Sequence, residues 1–170
     1  MIIRPARPDE LTAVGELTLA AYVADGFIEP DDDYADELRS ADERAAGADL
    51  MVAVSAAGAT PPDQLLGTVT FCRHGSSWAE VSRPGEAEFR MLAVAPAARG
   101  LGVGGALARW CVDRAREQGC TAVALCSLTT MSTAHRLYER MGFVRAPERD
   151  WWPSEQSRLV AYVLDLTAWR

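Results

Sequence analysis

Residues 88–107 read EFRMLAVAPAARGLGVGGAL. Residues 88–94 are a short run of mainly apolar residues closed by a turn signal at Pro96, which predicts a strand. Behind it stand Gly100, Gly102, Gly104 and Gly105, and then a helical pattern over 103–118. Leu107, Trp110, Cys111 and Ala115 share one face of that helix, Arg109, Asp113, Arg116 and Glu117 oppose them, and Gly119 is the stop. TAVALCS (121–127) is a strand again. Strand, turn, helix and strand in this order predict a right-handed βαβ unit with parallel strands. A helix opening among glycines presents unpaired N–H groups and the positive end of its dipole, with no side chain to block a phosphate. The same glycines also suit a bare tight turn.

Gly100, Gly102 and Gly105 spell G-x-G-x-x-G, the pattern of a dinucleotide site. That site needs an acid about 20 residues further on to hold a ribose, and the sequence there is Leu125, Cys126, Ser127. The unit also lies mid-chain behind a meander instead of opening a doubly wound sheet. A nucleoside triphosphate loop needs a lysine, and all 17 basic residues of this chain are arginine. A Schiff-base lysine is excluded on the same ground.

The remaining elements follow from periodicity. MIIRPA opens as a strand, residues 8–24 make a helix with Leu11, Val14, Leu17 and Ala21 on its apolar face, and DDYADELRSADERAA reads as a second, polar helix. LMVAVS (50–55) and LLGTVTFC (65–72) are strands flanking a hairpin loop at 55–64, which Gly58, Pro61 and Pro62 break. MSTAHRLYERMG (131–142) is a helix with Ala134, Leu137, Tyr138 and Met141 on one face, and RLVAYVLDL (158–166) is the last strand. With 170 residues, no repeat and no linker, the chain reads as one domain over 1–170. A net charge of −7 argues against nucleic acid and anionic membranes as partners. Residues 1–50 carry thirteen acids against four arginines, while 98–145 carry seven arginines against three acids, so the glycine run lies in the positive part of the protein. No run reaches the roughly 20 apolar residues of a membrane span, and Cys72, Cys111, Cys120 and Cys126 show no C-x-x-C pair. The expectation is a cytoplasmic protein with reduced thiols. Cys126 is a minor option as a covalent nucleophile, since no histidine stands near it in sequence.

RMLAVAPAARGLGVGGAL resembles the coenzyme A motif of the GCN5-related N-acetyltransferases (GNAT), whose Arg/Gln-x-x-Gly-x-Gly/Ala pattern Arg99, Gly102 and Gly104 meet. AHRLYERMGFV resembles the second hallmark of that family, a helix ending in Leu-Tyr-Glu-basic-x-Gly-Phe. The resemblance implies an α+β fold in α/β/α layers, with a mixed, central, partly splayed sheet of about six to seven strands around an acetyl-CoA-binding βαβ unit. It implies an acyltransferase acting with acetyl-CoA and no metal. The N–H groups of Gly100, Leu101, Gly102, Val103, Gly104 and Gly105 would cradle the pyrophosphate, with Arg99 adding charge. Leu92, Ala93 and Val94 would meet the pantetheine arm through main chain, where the strand splays at a bulge. The family often has Asn at the position of Met131; either the hydroxyl of Ser132 or Thr133 stands in for it, or that hydrogen bond to the cofactor is missing.

Acylation of an alkylamine needs a base, because its pKa of ~10 leaves it protonated at neutral pH. Glu88 lies where related enzymes carry that base, with Glu86 in reserve, and Tyr138 matches the tyrosine that protonates the departing thiolate. His135 reads as a packed or surface residue. The acceptor would be a primary amine of a small molecule or peptide, walled by residues 25–34, 73–88 and 145–157. Trp78, Glu86 and Trp151 are candidate substrate contacts, with Trp152 as a further flat wall. The chain would work as a monomer or homodimer. The alternatives are a catalytically silent coenzyme A sensor or structural subunit, and a dinucleotide oxidoreductase.

Overall fold

The structure, a computed structural model, describes residues 1–59, 61–154 and 157–167. Its elements in chain order are β1 (Ile2–Pro5), α1 (Leu11–Ala24), α2 (Asp33–Arg39), α3 (Ala41–Gly47), β2 (Asp49–Val54), β3 (Leu65–Arg73) and β4 (Glu86–Val94). There follow α4 (Val103–Glu117), β5 (Ala122–Leu128), α5 (Ser132–Arg140), β6 (Val144–Arg145), β7 (Trp151–Ser154) and β8 (Ser157–Asp165). Hydrogen bonds order the strands β1-β2-β3-β4-β5-β8-β6, with β7 on β8. β4 and β5 are parallel, as a βαβ unit requires, while β1 with β2, β2 with β3 and β5 with β8 are antiparallel. The mixed α+β fold is the expected one, and the described residues form eight strands beside the roughly six to seven expected. The short β6 and β7, of two and four residues, show no period in the sequence.

Contacts divide the chain into two compact units, Met1–Phe71 with Met91–Cys111, and Cys72–Arg90 with Val112–Arg170. In the first unit Val14, Ala41, Leu50, Val52 and Val54 form one core cluster, with Ala6, Leu11 and Leu65 packed against them. Along α1 Val14 and Ala21 are buried as the spacing predicts, but Leu17 is only half-buried and Leu19 takes a core place. The single polar helix is in fact two, α2 and α3. Ser40 leaves helical geometry at φ −70°, ψ 60°, and its hydroxyl donates to the Asp36 carbonyl at 2.8 Å, the local competition by which serine ends helices. Arg44 of α3 is fully buried and donates to Thr18 Oγ1, Thr70 Oγ1 and the Leu38 carbonyl. Gly67 of β3 lies so close to β4 and α4 that a Cβ there would stand 2.7 Å from the Ala93 carbonyl oxygen and 2.9 Å from Val103 Cγ1.

In the second unit β5 pairs with β8 over seven residues, Ala122–Leu128 against Asp165–Leu159. Phe89, Tyr138, Phe143 and Tyr162 form an aromatic cluster in edge-on and tilted contacts at 5.8–6.2 Å. β4 pairs with β5 over Glu86–Glu88 against Ala122–Ala124. Three residues later Met91 has φ +50°, a left-handed conformation that a long side chain seldom adopts and that inside a strand marks a bulge.

Candidate active site

Gly100 and Gly102 have φ +79° and +78°, where only glycine rests without strain. A Cβ added to either would meet no atom within 4 Å, so their backbone faces open space. The first i→i−4 bond of α4 runs from the Ala106 N–H to the Gly102 carbonyl at 3.0 Å. The N–H groups of Val103, Gly104 and Gly105 precede it and have no partner within the helix. The turn therefore fits an anion with a bulky tail: bare donors, the positive end of a 15-residue helix, and no side chain in the way. Leu101 stands at the tip, 67 % exposed. Arg99 does not reach freely into this space, because its Nη1 pairs with Asp25 at 2.9 Å and its Nη2 donates to the Ala21 carbonyl at 3.4 Å. Leu92 and Val94 are half-buried and Ala93 buried.

In the second unit Glu88 is fully buried on β4. Its Oε2 accepts from the N–H groups of Glu80, Val81 and Ser82 at 3.0, 2.9 and 2.9 Å, while Oε1 has no partner among the described residues. Glu86, two residues back on the same face, is differently placed. Arg149 Nη2 donates to its Oε1 at 2.9 Å, Arg149 Nη1 donates to its Oε2, and the Arg83 N–H reaches Oε2 at 2.8 Å. Burial pushes the Glu86 carboxyl up, but the Arg149 and Arg83 hydrogen bonds outweigh it and hold its pKa below the ordinary 4.5. Glu86 is thus the anion of a buried ion pair, with neither oxygen open to serve as a reserve base or a substrate contact.

Glu80, Val81, Glu148, Arg149, Asp150 and Trp151 line a cleft of about 530 Å³. It joins two of the three expected acceptor segments, 73–88 and 145–157, of which 155–156 lie outside the described residues. The third, 25–34, belongs to the first unit, where Phe27 and Tyr34 both pack on Tyr22. Trp78 lies under the Arg90 guanidinium at 5.8 Å. Trp151 is half-buried, and the exposed Trp152 is covered by Arg158 at 5.3 Å. Asp150 takes four hydrogen bonds. Arg145 binds it with both terminal nitrogens at 2.9 Å, Arg158 at 2.9 Å and the Ala161 N–H at 2.8 Å, and these bonds bring its pKa down to about 2 against the pull of burial.

Tyr138 is 6 % exposed, its ring held by Phe89, Phe143 and Tyr162. His135 is half-buried, in tilted contact with Tyr162 at 5.4 Å with Nε2 3.2 Å from Ser127 Oγ, and burial lowers its pKa. Burial first, and then the charge of Glu88, push the thiols of Cys72 and Cys126 up to about 12. A thiol so protonated is no nucleophile at neutral pH, which removes the Cys126 option. Ser132 opens α5 with its side chain exposed, whereas Thr133 Oγ1 is taken by Arg136 at 3.1 Å. Sequence reading missed the 80–82 amides, Arg149 and Asp150. Arg149 stands 63 residues from Glu86, and no local pattern announces such a pair. Among the described residues no group of three His, Cys, Asp or Glu is placed to hold a metal, and no helix is long and apolar enough to cross a membrane.

A profile of the acetyltransferase (GNAT) family matches residues 12–143. The chain belongs to the GNAT acetyltransferase family. It is an acyltransferase, and the oxidoreductase alternative falls with that assignment. The fold agrees with other GNAT proteins. A GNAT acetyltransferase from Staphylococcus aureus Mu50 superposes with a TM-score of 0.72 at 17 % identity, over 97 % of this chain and 98 % of its own. The protein yncA of Salmonella typhimurium, solved with acetyl-CoA, gives 0.66 at 22 % identity over 97 % and 93 %. A Brucella melitensis GNAT acetyltransferase in complex with acetyl-CoA gives 0.64 at 23 % identity over 97 % and 87 %. No curated protein sequence matches this GNAT chain.

Proposed function

We propose that this GNAT enzyme moves an acetyl group from acetyl-CoA to a primary amine of a small molecule or peptide by direct transfer. The carrying observation is Glu88, a fully buried carboxyl group with one oxygen anchored by three amides and the other without a partner among the described residues. An acceptor amine of pKa ~10 must give up a proton before it attacks, and Oε1 is the atom to take it, directly or through a water. The anchored oxygen keeps the carboxylate from swinging away. Tyr138, fixed by three aromatic rings, would return a proton to the departing thiolate.

Acetyl-CoA supplies the activated acyl group as a thioester. The residues present fit it. The N–H groups from Gly100 to Gly105 would bind its pyrophosphate, Arg99 would add charge once drawn from Asp25, Leu92 to Val94 would pair with its arm through main chain, and Ser132 would offer a hydroxyl in the place of Met131. The acetyl-CoA in the yncA and Brucella structures supports this donor. The acceptor would lie in the cleft between Glu80 and Val81 on one side and residues 148–151 on the other, with Trp151 as a flat wall and Trp78 as a further contact from the start of the same loop. The family match spans residues of both units, which supports one acetyltransferase domain. Four cysteines in the reduced thiol state would suit a reducing compartment such as the cytoplasm.

The test is release of free coenzyme A thiol from acetyl-CoA across a panel of amines and peptides. With the best acceptor, Glu88→Gln should lower turnover by about 100-fold at pH 7, less at pH 9.5 where the amine deprotonates unaided. Equal turnover at pH 7 removes Glu88 from the chemistry.

A further inference from the structure

We infer that Arg149 is a positioning residue that holds the loop whose amides fix Glu88. The inference rests on the base role proposed for Glu88. Arg149 closes a short 3-10 turn, Pro147–Arg149, and its side chain is 9 % exposed. Its Nη1 donates to the Val81 carbonyl at 3.3 Å. The N–H of that same peptide group, on Ser82, donates to Glu88 Oε2 at 2.9 Å, so one peptide links the guanidinium to the carboxylate. The next peptide repeats the pattern. Its carbonyl, on Ser82, meets His74 Nδ1 at 2.7 Å, and its N–H, on Arg83, binds Glu86 Oε2, the partner of Arg149.

Residues 80–83 are thereby strung along two carboxylates of β4, through three N–H groups on Glu88 and one on Glu86. Arg149 locks the arrangement from the other side by gripping Glu86 with two nitrogens and the loop with one carbonyl. A chain held only by its N–H groups can rotate about that row; a second grip on the carbonyl side stops it. Arg90 braces the start of the loop, with Nη1 on the Trp78 carbonyl at 3.2 Å and Nη2 on Glu80 at 2.7 Å. The next residue, Asp150, anchors this stretch of chain through Arg145, Arg158 and the β8 backbone. Among the described residues, the charged groups bonded to the loop that holds Glu88 include Arg90, Glu86 and Arg149, with Glu148 and Asp150 lining the cleft beside it. His74 adds a titratable ring on the Ser82 carbonyl, and Cys72 and Cys126 stay neutral thiols.

The test compares Arg149→Gln, Arg149→Lys, Glu88→Gln and the double variant Arg149→Gln/Glu88→Gln, by thiol release with the best amine of the panel from pH 6.5 to 9.5. Arg149→Gln should lower kcat by about ten-fold at pH 7 with the KM for acetyl-CoA within about two-fold, and the deficit should shrink toward pH 9.5 as in Glu88→Gln. Arg149→Lys should recover part of the rate. In the Glu88→Gln background the Arg149 change should cost nothing more, because both act through one group. A pH-independent loss, or full additivity in the double variant, overturns the inference. If Arg149→Gln fails to fold, Arg149→Met with Glu86→Gln removes the pair without leaving a buried charge, and wild-type kcat in that variant also overturns it. Hydrogen exchange separates this inference from the base role. Faster exchange of the Glu80, Val81 and Ser82 amides in Arg149→Gln supports positioning even if Glu88→Gln turns over normally, and unchanged exchange refutes it.

Discussion

Replacing Asp150 by Asn should destabilise the protein by about 2 kcal/mol at pH 7, and the deficit should fade in acid. The side chain of Asp150 is 2 % exposed and takes four hydrogen bonds, three of them from guanidinium groups. Those bonds, led by Arg145, bring its carboxyl from the ordinary 3.8 to about 2 although burial opposes them. The equivalent free energy is about 2.5 kcal/mol, trimmed to about 2 because Arg158 is half in solvent and screened. The sign follows from the depressed value. The folded state holds the proton less tightly than the unfolded chain, so the contribution is complete above about pH 5 and disappears as pH falls through about 2. Near pH 3 roughly half should remain. Urea unfolding of wild type and Asp150→Asn at pH 7, 5, 4 and 3 measures this, the loss at pH 7 corresponding to a fall in Tm of about 4–8 °C. Equal stability at pH 7, or a deficit as large at pH 3 as at pH 7, would refute the reasoning.

Gly67→Ala should destabilise by about 2 kcal/mol in urea unfolding, since the new Cβ meets the Ala93 carbonyl oxygen at 2.7 Å and a backbone atom between two strands cannot step aside; an unchanged midpoint would contradict that packing. Tyr138→Phe keeps the ring among Phe89, Phe143 and Tyr162, so Tm should move little, while kcat at pH 7 falls about ten-fold or more with the KM for acetyl-CoA unchanged. A wild-type kcat would leave Tyr138 a core residue alone.

What could be read from the sequence is what local chemistry encodes. The strand–turn–helix over 88–118 follows from a change of hydrophobic period and from glycines whose positive φ at 100 and 102 excludes side chains, all within a few residues. The GNAT family followed from that turn together with the Leu137–Phe143 hallmark. Local signals failed where the deciding partner was remote or the element too short. Ser40 split a helix by bonding back to Asp36, Leu19 replaced Leu17 in the core, and β6 and β7 exist only because β8 offers them an edge. The candidate base shows the division most sharply. Glu86 and Glu88 are two acids at alternate positions on one face of a strand, and the family resemblance ranks Glu88 first without a physical reason for the choice. Tertiary structure supplies that reason, because Arg149 arrives from 63 residues away to neutralise Glu86, while the backbone of 80–82 holds one oxygen of Glu88 and leaves the other without a partner among the described residues.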